Sequence, residues 1–320
     1  MKHLLPLIFL FSLSSIVKAQ NSYELNTGWK CTPLDSIKTD GYKISSGDYN
    51  TNNWMPATVP GTVLTSLLNN KKIPDPFFGM NNEQIPDIYK TGRNYYTYWF
   101  VKDFKEKADL DEQVYLNFRG VNYSCDIYLN GKKLNKTTQV GMFLRYSYNI
   151  TPYLNKNGNN RLAVLVHPSD VPGNPNGGQG GDGTIARNVG LQYTAGWDWI
   201  QPIRDRNTGI WDKVTIQKTG KVRIADTHVI TVVPGIRQIE GQQQPAIIKV
   251  SAELKNPTGG TVSGILTYEI DGKTLSRSVS LKANASQEIR LNDLILQNPK
   301  LWWPNGYGPQ NLYDLHIRFL

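Results

Sequence analysis

The chain has 320 residues and a formal net charge of +9, with 28 glycines, 18 prolines and 11% aromatic residues. This length allows one to three domains, and the many turn-forming and aromatic residues favour an all-β protein over a helical one. The basic residues are scattered, which predicts a solvated basic surface and no nucleic-acid partner.

Residues 1–19 have the pattern of a secretory signal peptide. Lys2 and His3 precede a short apolar run, and Val17-Lys18-Ala19 forms a small-x-small cleavage site. The apolar run is too short to span a bilayer, and no later stretch is apolar enough to do so. We therefore expect a secreted or periplasmic mature chain without a membrane anchor, and removal of Lys2 and Lys18 lowers its charge from +9 to +7.

The cysteine and histidine pattern predicts neither a disulfide framework nor a metal site. Only two cysteines occur, and alternation along residues 125–131 places Cys125 on the same face as Ile127 and Leu129. A buried free thiol is the first expectation, with a Cys31–Cys125 bridge as the alternative. The four histidines are never at ligand spacing with a cysteine, and we expect no metal or other cofactor.

Residues 20–220 form the first predicted domain, which we expect to be a β-sandwich or jelly roll. Thr62 is placed to cap a helix over Thr62–Asn70, and Asn130-Gly131 predicts a hairpin turn. The strand patterns cover residues 94–104, 113–121, 125–131, 161–168 and 213–219.

A segment dense in glycine and proline lies between His167 and Tyr193. Such composition is typical of a disordered linker, but strand-like sequence resumes directly after it. Long irregular loops within compact domains are often functional. We therefore favour a loop at the rim of a binding pocket.

Residues 221–320 show a second series of strand patterns, with a hairpin turn at Asp271-Gly272. Short strands at this density predict an immunoglobulin-like β-sandwich. The sequence ends within a strand pattern, HIRFL, from which we expect a truncated domain.

Residues 190–214 combine aromatic and charged side chains in a way that suits a sugar. If the segment is extended, Trp197 and Trp199 share one face and Asp198 takes the other. Indole rings stack on sugar C–H faces, and a carboxylate accepts hydrogen bonds from hydroxyls. A core strand with an incidental aspartate fits the same pattern.

Three further residues are candidates for the pocket edge: Asp75, Asn81 and Arg206. Each has a structural alternative. The prolines around Asp75 also fit a rigid turn, and Arg206, within a turn-like cluster, also fits an ion pair with a nearby aspartate.

Several blocks together resemble glycoside hydrolase family 2 over nearly the whole mature chain. They are DPFFGMN (75–81), GVNYSCDIYLNG (120–131), GWDW (196–199) and LWWPNGYG (301–308). The GWDW block resembles the β-mannosidase and exo-β-D-glucosaminidase branch, and DRNTGIW leans toward exo-β-D-glucosaminidase.

The resemblance implies a jelly-roll domain and an immunoglobulin-like domain followed by a catalytic (β/α)8 barrel. It implies retaining hydrolysis by two glutamates of that barrel, which needs about 250 residues and is absent from this sequence. No catalytic residue is therefore expected here. By the same resemblance, Asp198 accepts hydrogen bonds from the terminal sugar, and Trp197 or Trp199 forms the apolar wall.

Two functions of different class follow. The first is the N-terminal part of a secreted exo-acting β-glycosidase, which packs on the barrel and binds an oligosaccharide or polysaccharide but is inactive alone. The second is a stand-alone carbohydrate-binding protein, because jelly rolls are common in binding modules. The identity of the sugar stays open between glucosamine, mannose and galactose.

Overall fold

The computed structural model describes residues 21–174, 181–191 and 203–320. Strands account for 39% of the structure and helices for 11%, which confirms the all-β fold class. The described residues divide into two compact units, 21–218 and 219–320.

The first unit is a jelly-roll β-sandwich. One sheet has the strand order β1-β11-β5-β9, and the other has the order β3-β2-β4-β10-β6-β7, with β8 paired to β6. The strands are β1 (Asn21–Glu24), β2 (Trp29–Pro33), β3 (Met55–Pro56), β4 (Tyr98–Lys105), β5 (Gln113–Phe118), β6 (Ser124–Leu129), β7 (Lys132–Lys133), β8 (Gln139–Val140), β9 (Tyr146–Asn149), β10 (Asn159–His167) and β11 (Val214–Thr219).

Short helices connect these strands. The α-helices are α1 (Gly41–Ile44), α2 (Val63–Asn69), α3 (Asn81–Gln84) and α4 (Ile88–Thr91), and 3₁₀ turns cover Leu34–Ser36, Arg93–Tyr96 and Thr151–Tyr153. Helix α2 confirms the predicted helix and its cap, because the Thr62 hydroxyl accepts a hydrogen bond from the Thr65 N–H at 3.0 Å. The strand predicted over 94–104 begins later, at Tyr98, since Arg93–Tyr96 forms a 3₁₀ turn.

Strand β4 explains why the larger sheet is apolar on both faces. Tyr98 and Phe100 point into the main core between the sheets, while Trp99 and Val101 belong to a second apolar cluster with Ile44 of α1. Adjacent residues of a strand face opposite sides, so a continuous apolar run is expected where both faces are covered.

The two cysteines are free and buried, as predicted, and the alternative of a disulfide is wrong. Cys31 lies on β2 and Cys125 on β6, and strands β4 and β10 separate them in the sheet. Three inter-strand spacings amount to about 14 Å, whereas a disulfide needs Cα atoms within about 7 Å. Burial raises the pKa of the Cys31 thiol to about 12.

The second unit is an immunoglobulin-like sandwich. Its sheets have the orders β12-β13-β16, with β17 paired to β13, and β15-β14-β18. The strands are β12 (Arg223–Val232), β13 (Ala246–Lys255), β14 (Val262–Ile270), β15 (Lys273–Leu281), β16 (Ser286–Arg290), β17 (Leu294–Leu296) and β18 (Leu315–Phe319).

Strict alternation in β13 buries Ala246, Ile248, Val250, Ala252 and Leu254 on one face. All of these except Ala252 belong to one apolar core with Leu266 and Tyr268 of the opposite sheet. The predicted hairpin turn is confirmed, because Asp271 and Gly272 join β14 to β15 with φ angles of 50° and 71°.

The described residues contain neither a membrane-spanning helix nor a metal-binding cluster. No helix in this part of the chain is long and apolar enough to cross a membrane. No group of three or more His, Cys, Asp and Glu side chains there could hold a metal ion.

Candidate functional site

The predicted sugar-binding residues Trp197, Asp198 and Trp199 lie outside the described residues. Their role stays a prediction. The chain on either side, residues 181–191 and 203–211, is described and lies among loops of the first unit. These segments are the described parts of the chain that are nearest in sequence to the tryptophan block.

A buried ion cluster lies directly after the tryptophan block. Arg206 donates from both terminal nitrogens to Asp87, Nη1 to Oδ2 and Nη2 to Oδ1, each at 3.0 Å. Arg204 Nη1 donates to the same Oδ2 at 3.1 Å. The three side chains are between 3% and 9% exposed. We name Asp87, Arg204 and Arg206 the Asp87 cluster.

Asp87 is held in place by its own local structure. It is the N-cap of α4, and its Oδ1 accepts a hydrogen bond from the Tyr89 N–H at 2.8 Å. Both carboxylate oxygens are therefore occupied, by two guanidinium groups and a helix N-terminus. This donor set holds the carboxyl group in a single orientation.

The two arginines also hold backbone carbonyls of other segments. Arg206 donates to Ile203 O at 2.8 Å, to Gly173 O at 3.0 Å and to Pro172 O at 3.3 Å. Arg204 Nε donates to Asn82 O at 2.8 Å. The Asp87 cluster thus ties together the chain around residues 82–87, 172–173 and 203–206.

Asp205 lies between the two arginines in sequence, but its carboxylate has other hydrogen-bond partners. Its carboxylate is fully buried and accepts hydrogen bonds from the backbone N–H groups of Leu64, in the first turn of α2, and Asn207. Burial outweighs these hydrogen bonds and raises the pKa of Asp205 to about 6. The turn predicted around Asp205 to Asn207 is present.

Asn122 connects this turn to the sandwich. Its side-chain amide donates to Arg206 O at 2.7 Å, and its backbone forms a pair of 2.9 Å hydrogen bonds with Gly209. Gly209 has a φ of 153°, and a Cβ there would approach the Gly61 carbonyl to 2.5 Å. The close approach of two backbones therefore requires glycine at this position.

The glycine-rich loop is anchored where it is described. Asn174 and Thr184 form a β-bridge, and the Tyr89 hydroxyl donates to Asp182 at 2.7 Å. Further along, the Leu191 N–H lies 3.1 Å from the Met142 sulfur. These contacts place both described ends of the loop against the first unit.

The pocket-edge candidates lie in different settings. Asp75 is exposed and accepts a hydrogen bond from the Phe77 N–H at 2.9 Å, so it closes the turn that the prolines predicted. Asn81 is half-buried and accepts from Gln84 at 3.3 Å. Arg206 is buried in the Asp87 cluster, the structural alternative proposed from sequence. No hydrogen bond or ion pair joins Asp75, Asn81 and Arg206 within the described residues.

Large apolar side chains remain exposed on the same loops. Phe77 and Phe78 are 96% and 75% exposed. The others on these loops are Met80, Phe143, Leu144, Ile185, Val189 and Leu191. Exposed apolar surface of this kind is typical of interaction sites.

One cavity lies within the second unit. It measures about 500 Å³ and is lined by polar residues that include Asp271, Asp314 and His316. It contains none of the residues predicted for sugar binding.

Comparison with known proteins shows the family. Residues 42–212 match the model described as glycosyl hydrolase 2 galactose-binding domain-like, and residues 222–320 match glycosyl hydrolases family 2. The chain therefore belongs to glycosyl hydrolase family 2, and the resemblance predicted from sequence is confirmed.

Among the relatives, a mannosylglycoprotein endo-β-mannosidase of Lilium longiflorum is 41% identical over 308 residues, which are 92% of this chain and 32% of the relative. An exo-β-D-glucosaminidase of Streptomyces avermitilis is 29% identical over 91% of this chain and 30% of its own length. The chain thus spans about a third of the curated relatives it matches.

Solved structures show the same relationship. The exo-chitosanase CsxA of Amycolatopsis orientalis superposes with a TM-score of 0.76 at 26% identity, covering 93% of this chain and 32% of that one. The β-D-mannosidase of Dictyoglomus thermophilum gives a TM-score of 0.66 at 25% identity, covering 94% and 34%.

Sequence reasoning missed Asp87, Arg204 and Asn122. Asp87 follows a proline and precedes an apolar residue, a pattern that fits a helix N-cap. That signal predicts the cap but gives no indication of the two arginines more than a hundred residues away.

Proposed function

We propose that this chain is the sugar-binding N-terminal part of a secreted, retaining, exo-acting β-glycosidase of the exo-β-D-glucosaminidase or β-mannosidase type. It contributes one corner of the substrate pocket, and the catalytic glutamates belong to a barrel outside this sequence. The observation that carries the proposal is the match of both family models in order, and it is supported by similarity to relatives named as an endo-β-mannosidase and an exo-β-D-glucosaminidase. Secretion rests on the signal-peptide pattern of residues 1–19.

Within this proposal, Asp198 accepts hydrogen bonds from hydroxyls of the terminal sugar, and Trp197 or Trp199 supplies the apolar wall. The exposed apolar side chains of the first unit, led by Phe77 and Phe78, are the surface that packs on the barrel. Burial of apolar surface stabilises an interface by about 25 cal/mol per Å². The packing role explains why this unit leaves Phe77 and Phe78 exposed.

The test uses the full-length gene product and its Asp198→Ala variant. We expect release of single sugars from the non-reducing end, and a loss of roughly 100-fold in kcat/KM in the variant, because a hydrogen bond to a charged group contributes about 1.5–3 kcal/mol. Asp293→Asn, an exposed change in the second unit, is the control.

The substrate panel contains β-linked glucosamine and mannose oligosaccharides, with the cleavage position read by mass spectrometry. Internal cleavage would reject the exo-acting proposal and align the protein with the lily relative. Wild-type kcat/KM in Asp198→Ala would reject the role of Asp198. Sugar binding by a gene product without a barrel would favour the stand-alone carbohydrate-binding protein.

A further inference from the structure

Four Asn-x-Ser/Thr sequons occur in the sequence, at Asn122, Asn135, Asn149 and Asn284. A sequon that is used in a secreted protein lies on a surface loop, because the attached oligosaccharide is bulky and hydrophilic. Asn284 fits this rule, since it is exposed between β15 and β16 and its side chain forms no hydrogen bond with the described residues. Asn122 and Asn135 do not fit it, because both are buried in the first unit.

Asn135 is a structural residue of the larger sheet and is 2% exposed. Its Oδ1 accepts a hydrogen bond from the Ile127 N–H at 2.8 Å, and its Nδ2 donates to Cys125 O at 3.1 Å and to Thr137 O at 2.9 Å. These bonds fill the gap on β6 between its pairing with β7 and its pairing with β8. The Asn135 amide therefore satisfies backbone groups of β6 that have no strand partner at this point.

Asn122 is buried in the same way and is 3% exposed. Its Nδ2 donates to Arg206 O at 2.7 Å, and its backbone pairs with Gly209 through two hydrogen bonds of 2.9 Å. The side chain thus attaches the turn that contains Arg206 to the sandwich. Both buried sequons have an amide nitrogen whose hydrogen bonds are part of the fold.

N-glycosylation forms a bond between the asparagine Nδ2 and C1 of the first sugar. The polyprenyl diphosphate carrier of the oligosaccharide leaves with the bonding electrons, and one amide proton goes to a base of the transferase. At Asn122 or Asn135, the lost N–H leaves a buried carbonyl without its donor. The sugar itself has no space in a close-packed interior. The modification must also precede folding, because neither amide is accessible afterwards.

We propose that N-glycosylation at Asn122 or Asn135 is incompatible with the fold of the first unit, and that this chain is exported by a pathway without an oligosaccharide transferase. The inference rests on the proposed secretion of the chain and makes it more specific. A pathway that glycosylates sequons would modify the unfolded chain before β6 acquires its partners. Two buried sequons are harmless where no enzyme recognises them.

The test expresses the full-length gene product in a eukaryotic secretory host, with the host's own signal peptide in place of residues 1–19. Ser124→Ala and Thr137→Ala together remove both buried sequons and keep both asparagines. The Ser124 hydroxyl forms no hydrogen bond with the described residues, and Thr137 is exposed and contributes only its backbone carbonyl. Ser286→Ala, which removes the exposed Asn284 sequon, is the matched control.

We expect the eukaryotic cells to retain the wild-type protein, with sugar at Asn122 or Asn135 identified by mass spectrometry. The Ser124→Ala/Thr137→Ala variant should reach the medium in a roughly 10-fold larger amount, because cells degrade chains that cannot fold. Ser286→Ala should be retained like the wild type. In a bacterial host without the transferase, the wild type and the double variant should give equal amounts of folded protein.

Three results would overturn the proposal. They are secretion of folded wild type with sugar at Asn122 or Asn135, its secretion with both residues unmodified, and retention of the double variant. Export by residues 1–19 is measured separately in the bacterial host. If these residues do not direct export, the proposed secretion is wrong and the export pathway with it, whereas the eukaryotic experiment alone decides whether the two buried sequons are incompatible with the fold.

Discussion

The two units differ in what they bury. The first unit buries four charged side chains, Asp87, Arg204, Asp205 and Arg206, within the described residues. In the second unit, the buried polar side chains of the described residues, Thr219 and Asn256, are both neutral. Both units have apolar cores between sheets, so charge burial is not a requirement of a β-sandwich. It coincides with the loops that flank the predicted sugar site.

Three ion pairs in the described part of the second unit lie at the surface. Arg290–Asp293, Lys255–Glu253 and Arg318–Glu269 all involve side chains that are at least 30% exposed. Exposed pairs of this kind typically contribute about 0–1 kcal/mol. The comparison therefore predicts large electrostatic effects in the first unit and small ones in the second.

The largest effect is expected from Asp87→Ala. The variant leaves two buried guanidinium groups without their carboxylate, which typically costs about 3–5 kcal/mol. Urea unfolding followed by tryptophan fluorescence measures the loss in the first unit. Asp103→Ala, which removes a carboxylate that is 62% exposed and leaves Arg161 hydrogen-bonded to Tyr49 O, should cost less than Asp87→Ala. Similar losses from the two variants would remove the distinction between buried and exposed pairs.

The next largest effect on the free energy of unfolding is expected from Asp205→Asn, and this effect depends on pH. Its pKa rises from 3.8 to about 6 on folding, so the folded state binds the proton more tightly. The protonated Asp205 carboxyl therefore stabilises the folded state by about 3 kcal/mol at pH values below 3.8. This contribution is lost as the pH rises through 6. Asp205→Asn has no such titration, although it loses one acceptor for the N–H groups of Leu64 and Asn207.

We therefore expect the stability of Asp205→Asn relative to wild type to improve by about 2.5 kcal/mol between pH 4 and pH 7.5. Urea unfolding of both proteins across this pH range gives the difference. A difference that stays constant with pH would show that Asp205 does not carry the raised pKa.

Asn256 tests the buried polar chemistry of the second unit. Its amide nitrogen donates to the carbonyls of Gly260 and Lys282 at 2.8 and 2.9 Å, and its oxygen accepts from the Thr258 N–H at 3.0 Å. Asn256→Ala leaves these groups unsatisfied, at about 1–3 kcal/mol. Thermal unfolding by calorimetry measures the loss, with Asn292→Ala, an exposed asparagine in the same unit, as control. If the two variants lose the same stability, the buried hydrogen bonds of Asn256 do not stabilise the second unit.

The sequence predicts this molecule well where the signal is local. The Asn130-Gly131 and Asp271-Gly272 turns, the Thr62 cap and the alternation in β13 depend on neighbouring residues, and each is found in the structure. Strands β1 and β2 were not predicted, because four or five residues that end at Glu24 or Pro33 carry little periodicity.

The candidate site is less predictable for a physical reason. Arg206 and Asp87 are 119 residues apart in sequence, and their pairing depends on how three loops meet. The sequence alone does not show which aspartate pairs with Arg206. The motif resemblance locates the tryptophan block, but it contains no information about which carboxylate holds the arginines.

The smallest effect is expected from Asp293→Asn. Arg290 Nη2 lies 3.2 Å from Asp293 Oδ1, but the two side chains are 64% and 38% exposed, so water screens the pair and the long arginine side chain retains other conformations. We expect the free energy of unfolding of the second unit to change by less than about 0.5 kcal/mol, and the change to vanish in 1 M salt. Calorimetry at low and high salt measures both quantities. A salt-insensitive loss above about 1 kcal/mol would mean that an exposed pair in the second unit contributes as a buried one does, and that burial is not what distinguishes the Asp87 cluster.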